Sequence, residues 1–242
     1  MSAMVDLPDA RSSAFCQACA VRNRAICADL DNGEIAALNA IGRRRTLAQG
    51  EPLLWEGDDA VLVANVVEGV LKLSSGTADG REQILGIAYP SDFIGRPFGT
   101  STPYSVEALT EATVCVFPRA DFDRFARDHP RLEHKLLERT LTELDRTRRW
   151  MMMLARMSAE QKLASFLIEM EERLGGGRTC AGPSGGPFAL PLDRQQIADL
   201  LGLTIETVSR RFARLRREGL IETPTRREVA IRDRPHLALL AQ

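Results

Sequence analysis

The 242-residue chain holds five cysteines, and four of them are placed where they could do metal chemistry. Cys16, Cys19 and Cys27 form a C-x2-C-x7-C cluster in a polar N-terminal stretch, and Cys115 follows in the apolar run Ala112 to Phe117. Thiolates are soft donors compatible with tetrahedral coordination, so four of them suit either an all-thiolate zinc site or an iron–sulfur cluster. Spacing alone does not choose between the two. Cys115 by itself reads as a buried filler, and only the N-terminal trio supplies it with a partner set. Cys180, in a Gly-rich stretch, reads as an incidental thiol. No nucleophile paired with a base, and no open metal site beside a general base, is visible, so the chain does not read as an enzyme.

A second constellation lies near the C-terminus. Asp193 caps a helix with Gln196 at its third position, Gly202 breaks that helix, and Thr204 caps a second one carrying Val208, Arg211, Phe212 and Leu215. Two short helices joined by a tight Gly-containing turn make a helix-turn-helix. Beyond Gly219, residues 220–231 read as two strands around a basic tip, a wing. Glu206, Ser209 and Arg210 stand at i, i+3 and i+4 and so share one face near the start of the second helix, the end that enters a major groove. Arg210 can fork onto O6 and N7 of a guanine, Glu206 can accept from a cytosine amine, and Ser209 can bond a base edge or a phosphate. Arg211, Arg214, Arg216 and Arg217 add charge along the helix, and Arg226 and Arg227 add it on the wing.

Other elements must position these groups. Between about Glu34 and Phe117, short alternating apolar runs (Val61 to Val67, Val70 to Leu73, Ile84 to Ala88, Ala112 to Phe117) are separated by turn residues. That pattern predicts an antiparallel barrel or jelly roll. Arg119 to Arg127 predicts a short connecting helix. From His129 to Ala155 nothing breaks a helix after Pro130, and Leu137, Leu141, Leu144 and Met151 recur at coiled-coil spacing. A helix of roughly 25 residues would span close to 40 Å, more than a small barrel can cover, so a homodimer is expected. Arg148 falls in the same register, flanked by Arg146 and Arg149, and two copies of this basic patch would repel across a two-fold axis unless the side chains splay outward or an acid such as Glu143 or Asp145 answers them. Ser158 and Gln161 form a capping box ahead of another helix that ends at Gly175. The predicted organisation is a cysteine-bearing segment (1–30), a sensor barrel (31–128), a dimerisation helix (129–157) and a winged helix-turn-helix domain (158–242).

Composition agrees with this plan. The chain is 44% hydrophobic and 27% charged, ordinary for a globular protein, and no apolar run reaches the roughly 18 residues of a membrane span. Met1 to Arg11 lacks the basic start and apolar core of a secretory signal, so a cytoplasmic location and reduced thiols are expected. The net charge is −1, but Arg194 to Arg234 holds ten arginines against six acids, which makes this segment the place for phosphate contacts.

The run Leu203-Thr204-Ile205-Glu206-Thr207-Val208-Ser209-Arg210 resembles the recognition helix of the CRP/FNR superfamily, and its FNR branch in particular. Asp79 to Gly86 and Pro90 to Gly95 are similar to barrel strands and turns of that family. The resemblance covers nearly the whole chain. It implies an α+β fold with an N-terminal double-stranded β-helix (jelly-roll) barrel, a long dimerisation helix and a C-terminal winged helix-turn-helix. It further implies transcription regulation through double-stranded DNA, with TTGAT-N4-ATCAA-like palindromes read by Glu206, Ser209 and Arg210. Among the sensor readings, the FNR branch implies an oxygen-labile [4Fe-4S] cluster held by Cys16, Cys19, Cys27 and Cys115, and the cysteine spacing is similar to the FnrN/FixK/FnrL-like subgroup. A small ligand or haem in the barrel is the alternative, as is an all-thiolate zinc site. The phosphate cassette of the cyclic-nucleotide branch is missing: Gly95 is followed by Arg96-Pro97, and Pro103-Tyr104-Ser105 occupies the expected Arg-Ser region. The family also implies an RNA polymerase contact, matched here by the turn Asp79 to Gln83.

Overall fold

The computed structural model describes residues 16, 19–76, 80, 82–175 and 186–242. Cys180, the stretch Met1 to Arg11, and Asp79 and Arg81 of the polymerase-contact turn lie outside the described residues.

The first helix, α1 (Asn32–Ile41), is started by a capping box in which Asp31 accepts from the Glu34 amide and the Glu34 carboxylate accepts from the Asp31 amide. Eight strands follow: β1 (Arg43–Leu47), β2 (Pro52–Leu54), β3 (Leu62–Glu68), β4 (Leu71–Gly76), β5 (Glu82–Ala88), β6 (Phe93–Ile94), β7 (Ser105–Ala108) and β8 (Ala112–Pro118). They form two four-stranded sheets, ordered β1-β8-β3-β6 and β2-β7-β4-β5. This is the expected jelly-roll arrangement, with antiparallel pairing of β8 to both β1 and β3.

Strand β8 shows how one sheet serves two cores. Val114 and Val116 are buried on one face, while Thr113, Cys115 and Phe117 alternate onto the other. On that second face Val63 and Phe117 pack with Ile26, Leu30, Ile35, Leu38, Phe122 and Leu132, so the N-terminal segment, α1, α2 (Arg119–Asp128) and the start of α3 (Pro130–Arg156) cover the sheet from outside. Strand β3 is accordingly buried along nearly its whole length.

Further on, α4 (Ala159–Leu174), β9 (Phe188–Ala189), α5 (Arg194–Leu201), α6 (Ile205–Arg217), β10 (Ile221–Glu222), β11 (Glu228–Ile231) and α7 (Arg234–Leu240) complete the chain. Helices α4 and α5 both begin with capping boxes, Ser158 with Gln161 and Asp193 with Gln196. Leu163, Phe166, Leu167 and Met170 of α4 are fully buried with Ile197, Leu201, Val208 and Leu215, so α4 to α6 share a well-formed core. The three-stranded sheet β10-β11-β9 carries the wing. The described residues fall into two compact units, one drawn from Met1–Lys72 and Ala88–Leu141, the other from Leu73–Ile87 and Thr142–Gln242.

Candidate functional site

Cys16, Cys19, Cys27 and Cys115 line one cavity of about 270 Å³, together with Val21, Ile26, Leu38, Val67 and Phe117. The cavity lies on the outer face of the β1-β8-β3 sheet, since Cys115 shares a packing cluster with Cys19, Cys27, Val21, Ala25 and Val67. Cys115 sits on the central strand of the three, with Arg44 of β1 opposite it on one side and Asn65 of β3 on the other. Residues directly opposite in antiparallel strands share a face, and Arg44 and Asn65 both line the cavity. Arg22 and Arg43 also reach its wall. Gly42 stands where a Cβ would lie 2.3 Å from the Phe117 ring, so only glycine lets α1 turn into β1 this close to the cavity.

All four cysteines are free thiols. Cys16 Sγ contacts Asn39 Oδ1 at 3.4 Å, and Cys27 Sγ contacts the Arg22 carbonyl at 3.9 Å. Burial pushes the Cys27 and Cys115 thiols up to about 11, and the neighbouring cysteines add to this. Cys16 is raised chiefly by burial and then by Cys19, against the opposing charges of Arg44 and Arg22. In this state Cys16, Cys27 and Cys115 are therefore protonated, and loading a metal group would release their protons. Among the described residues no three His, Cys, Asp or Glu donors converge closely enough to hold a single metal ion. The four cysteines share the wall of one cavity.

The helix-turn-helix forms as its sequence dictates. Gly202 adopts φ +63°, the left-handed conformation that ends α5, and Thr204 Oγ1 accepts from the Thr207 amide to start α6. Glu206, Ser209 and Arg210 are exposed together, whereas Val208, Phe212 and Leu215 point into the core. The Glu206 carboxyl is held below the ordinary carboxylate range by its own backbone amide, then by Thr204 and by the charge of Arg210, so it stays an ionised acceptor at neutral pH. Arg210 Nη2 donates to Thr207 Oγ1 at 3.3 Å, which links it to the cap. Arg226 and Arg227 are exposed at the wing tip, and Arg211 is half-buried.

Two arginines behave differently from the sequence expectation, and a third, Arg148, meets one of the acids offered for it. Arg214, read as a phosphate-facing charge, donates instead to Glu160 and Glu218 at 2.9 and 2.8 Å. Arg146, read as part of a repelling patch, is buried and donates to Glu169 of α4 at 2.9 Å, because the turn of the helix places it on the face that α4 covers. Arg148 is exposed and lies 3.4 Å from Asp145. The basic patch thus loses one member to the core and has another screened. Arg194, not singled out by its sequence context, lies 3.2 Å above the Phe212 ring and clamps α5 to α6. Burial there pulls its guanidinium down to about 10, still cationic at neutral pH. Leu137, Leu141, Leu144 and Met151 of α3 are 56, 52, 42 and 65% exposed, an apolar stripe without cover among the described residues.

Comparison with known proteins agrees with this fold. Residues 44–129 match the cyclic nucleotide-binding domain family, and residues 161–240 match the Crp-like helix-turn-helix domain family. The chain is 40% identical over 220 residues to the transcriptional activator protein FnrL of Cereibacter sphaeroides, covering 90% of this chain and 88% of that one. The chain belongs to the CRP/FNR family of transcription regulators. Another CRP/FNR relative, the nitrogen fixation regulation protein FixK of Bradyrhizobium diazoefficiens, is 41% identical over 207 residues, 86% of each chain. The solved structure of FixK2 from Bradyrhizobium japonicum superposes with a TM-score of 0.76 at 30% identity, covering 84% of this chain and 98% of that one. Like those CRP/FNR proteins, this one is a regulator and not an enzyme. No helix among the described residues is long and apolar enough to cross a membrane.

Proposed function

We propose that this CRP/FNR protein is a dimeric, DNA-binding transcription activator whose activity is set by a [4Fe-4S] cluster held by Cys16, Cys19, Cys27 and Cys115. The observation that carries the cluster reading is the shared cavity: one barrel cysteine faces outward, and the three N-terminal cysteines are folded over it. The donor set fits the group. It is all-thiolate, the wall is mostly apolar, and Arg22, Arg43 and Arg44 answer the negative charge that four thiolates bring. A single zinc ion would draw the sulfurs to about 3.8 Å from one another, given Zn–S bonds near 2.3 Å. A cavity of about 270 Å³ lined by all four cysteines has room for a polynuclear group. When bound, such a cluster supplies oxygen-labile redox chemistry.

The protein's own residues would carry the signal to DNA. Ile26 and Leu30 of the cysteine segment pack with Leu132 on α3, and the exposed stripe Leu137, Leu141, Leu144, Met151, with Arg148 beside it, is the surface that a second copy would cover. A dimer presents two α6 helices one DNA turn apart, which matches a palindrome. Glu206, Ser209 and Arg210 then read bases, while Thr204, Arg211, Arg226 and Arg227 serve phosphates. Activation is the function named for relatives such as FnrL and entails RNA polymerase, for which the turn ending at Gln83 is the proposed contact.

The test is anaerobic reconstitution with iron and sulfide, read by metal and sulfide content and by visible absorbance. Wild type and Cys180→Ser should load fully, and Ser at position 16, 19, 27 or 115 should lose most of the cluster. Full loading of Cys115→Ser would overturn the ligand set.

A further inference from the structure

The wall of the thiol cavity includes a polar side chain whose acceptor is left over among the described residues. Asn65 is 5% exposed and lines the cavity beside Cys115. Its Nδ2 donates to the Val66 carbonyl at 3.1 Å, but its Oδ1 is buried without a partner among the described residues. A buried unsatisfied carbonyl is costly and uncommon in native interiors. An apolar residue at this strand position would avoid the cost, since Val63 and Val67 sit on the same face of β3.

The carboxamide nitrogen carries two N–H groups and Val66 takes one of them, so a second donor remains at the position paired with Cys115. Once the sulfurs are bound as thiolates, an oxygen facing them is repelled and the N–H end is attracted. The second N–H gains a charge-assisted bond while the one to the Val66 carbonyl is kept. Arg44, opposite Cys115 on its other side, brings positive charge to the same row.

Resting on the cluster reading above, we propose that Asn65 is a positioning residue of that site: its side-chain N–H hydrogen-bonds sulfur beside Cys115 and holds the reduction potential of the bound cluster up. Hydrogen bonds to sulfur stabilise the more negatively charged, reduced state, and this is one of the main ways proteins set cluster potentials.

Wild type, Asn65→Leu and Asn65→Asp are loaded anaerobically to equal iron and sulfide content. The midpoint potential and the rate of bleaching in air-saturated buffer are then measured. Asn65→Leu should shift the reduction equilibrium about tenfold toward the oxidised form, about 59 mV for a one-electron couple, and bleach faster. Asn65→Asp keeps the shape but replaces the donor with a negative charge, so it should move further in the same direction. It also decides the matter if the Leu variant does not fold. Unchanged potentials in the loaded variants overturn the role of Asn65 alone. A folded Asn65→Asp protein that cannot be loaded also overturns it, since tuning requires that the cluster be held. Wild-type protein that takes up no iron and sulfide overturns the cluster reading and the Asn65 role together.

Discussion

Lys135 Nζ on α3 lies 3.2 Å from the Asp29 carboxylate, two residues beyond Cys27. This ion pair, with Leu132 packed on Ile26 and Leu30 beneath it, fastens the cysteine-bearing segment to the root of the long helix. The apolar part should dominate. Asp29 is half-exposed and Lys135 also serves Glu138, and such pairs contribute at most about 1 kcal/mol. Leu132 is fully buried, and truncating a buried Leu costs about 2–5 kcal/mol. Urea unfolding should show a large loss for Leu132→Ala and a small one for Lys135→Met. Equal losses would mean that the fastening is electrostatic.

The raised thiols make a second prediction for metal-free protein. At pH 8 only about one part in a thousand of a thiol titrating near 11 is ionised, so Cys27 and Cys115 should alkylate far more slowly than free cysteine. Their rates should climb about tenfold per pH unit toward 11. The folded state holds these protons more tightly than the unfolded chain, whose cysteines titrate near 8.5. The resulting stability is present below that value and is lost as pH rises through 11. Residue-resolved iodoacetamide labelling and denaturant midpoints between pH 7 and 10.5 test both. Rapid labelling of Cys115 at pH 8 would contradict its burial.

On DNA, Arg210 and the wing should separate cleanly. Arg210→Ala should cost about 1–3 kcal/mol and relax preference at one base pair, whereas Arg226→Ala or Arg227→Ala should weaken all sequences alike and reduce the salt slope by about one. Arg214→Ala, whose charge is already answered by Glu160 and Glu218, should change the salt slope least. Fluorescence anisotropy over substituted half-sites and a salt series reads all three. An unchanged ranking of half-sites in Arg210→Ala would remove its base-reading role.

The two arginines of α3 should also part company. Arg148→Leu lengthens the exposed apolar stripe and removes a charge from each copy at a dimer interface, so it should raise the dimer fraction of air-treated protein. Arg146→Leu strips Glu169 of its partner inside the fold and should lower stability instead. Sedimentation at one protein concentration, for loaded, air-treated and variant samples, decides this. Loaded wild type should be dimeric and air-treated wild type largely monomeric, and identical dimer fractions in the two would remove dimerisation from the switch.

Much of this protein is decided by interactions a few residues apart, and those were legible in its sequence. The Asp193–Gln196 and Ser158–Gln161 boxes, the Gly202 turn and the Thr204 cap each need only neighbours within about one helical turn. The exposed face of α6 that carries Glu206, Ser209 and Arg210 follows from the same periodicity, whereas the cysteine spacing left zinc and an iron–sulfur cluster both open, and only the family resemblance named a cluster ligand set. Tertiary structure decided that the four cysteines line one cavity. That Cys115 faces out of the barrel, between Arg44 and Asn65, depends on the register of β8 against strands some 50 to 70 residues away in sequence. The same holds for Arg146 and Arg214: which of several arginines on a helix is spent on an internal acid depends on where α4 lies, and a helical repeat carries no record of that neighbour.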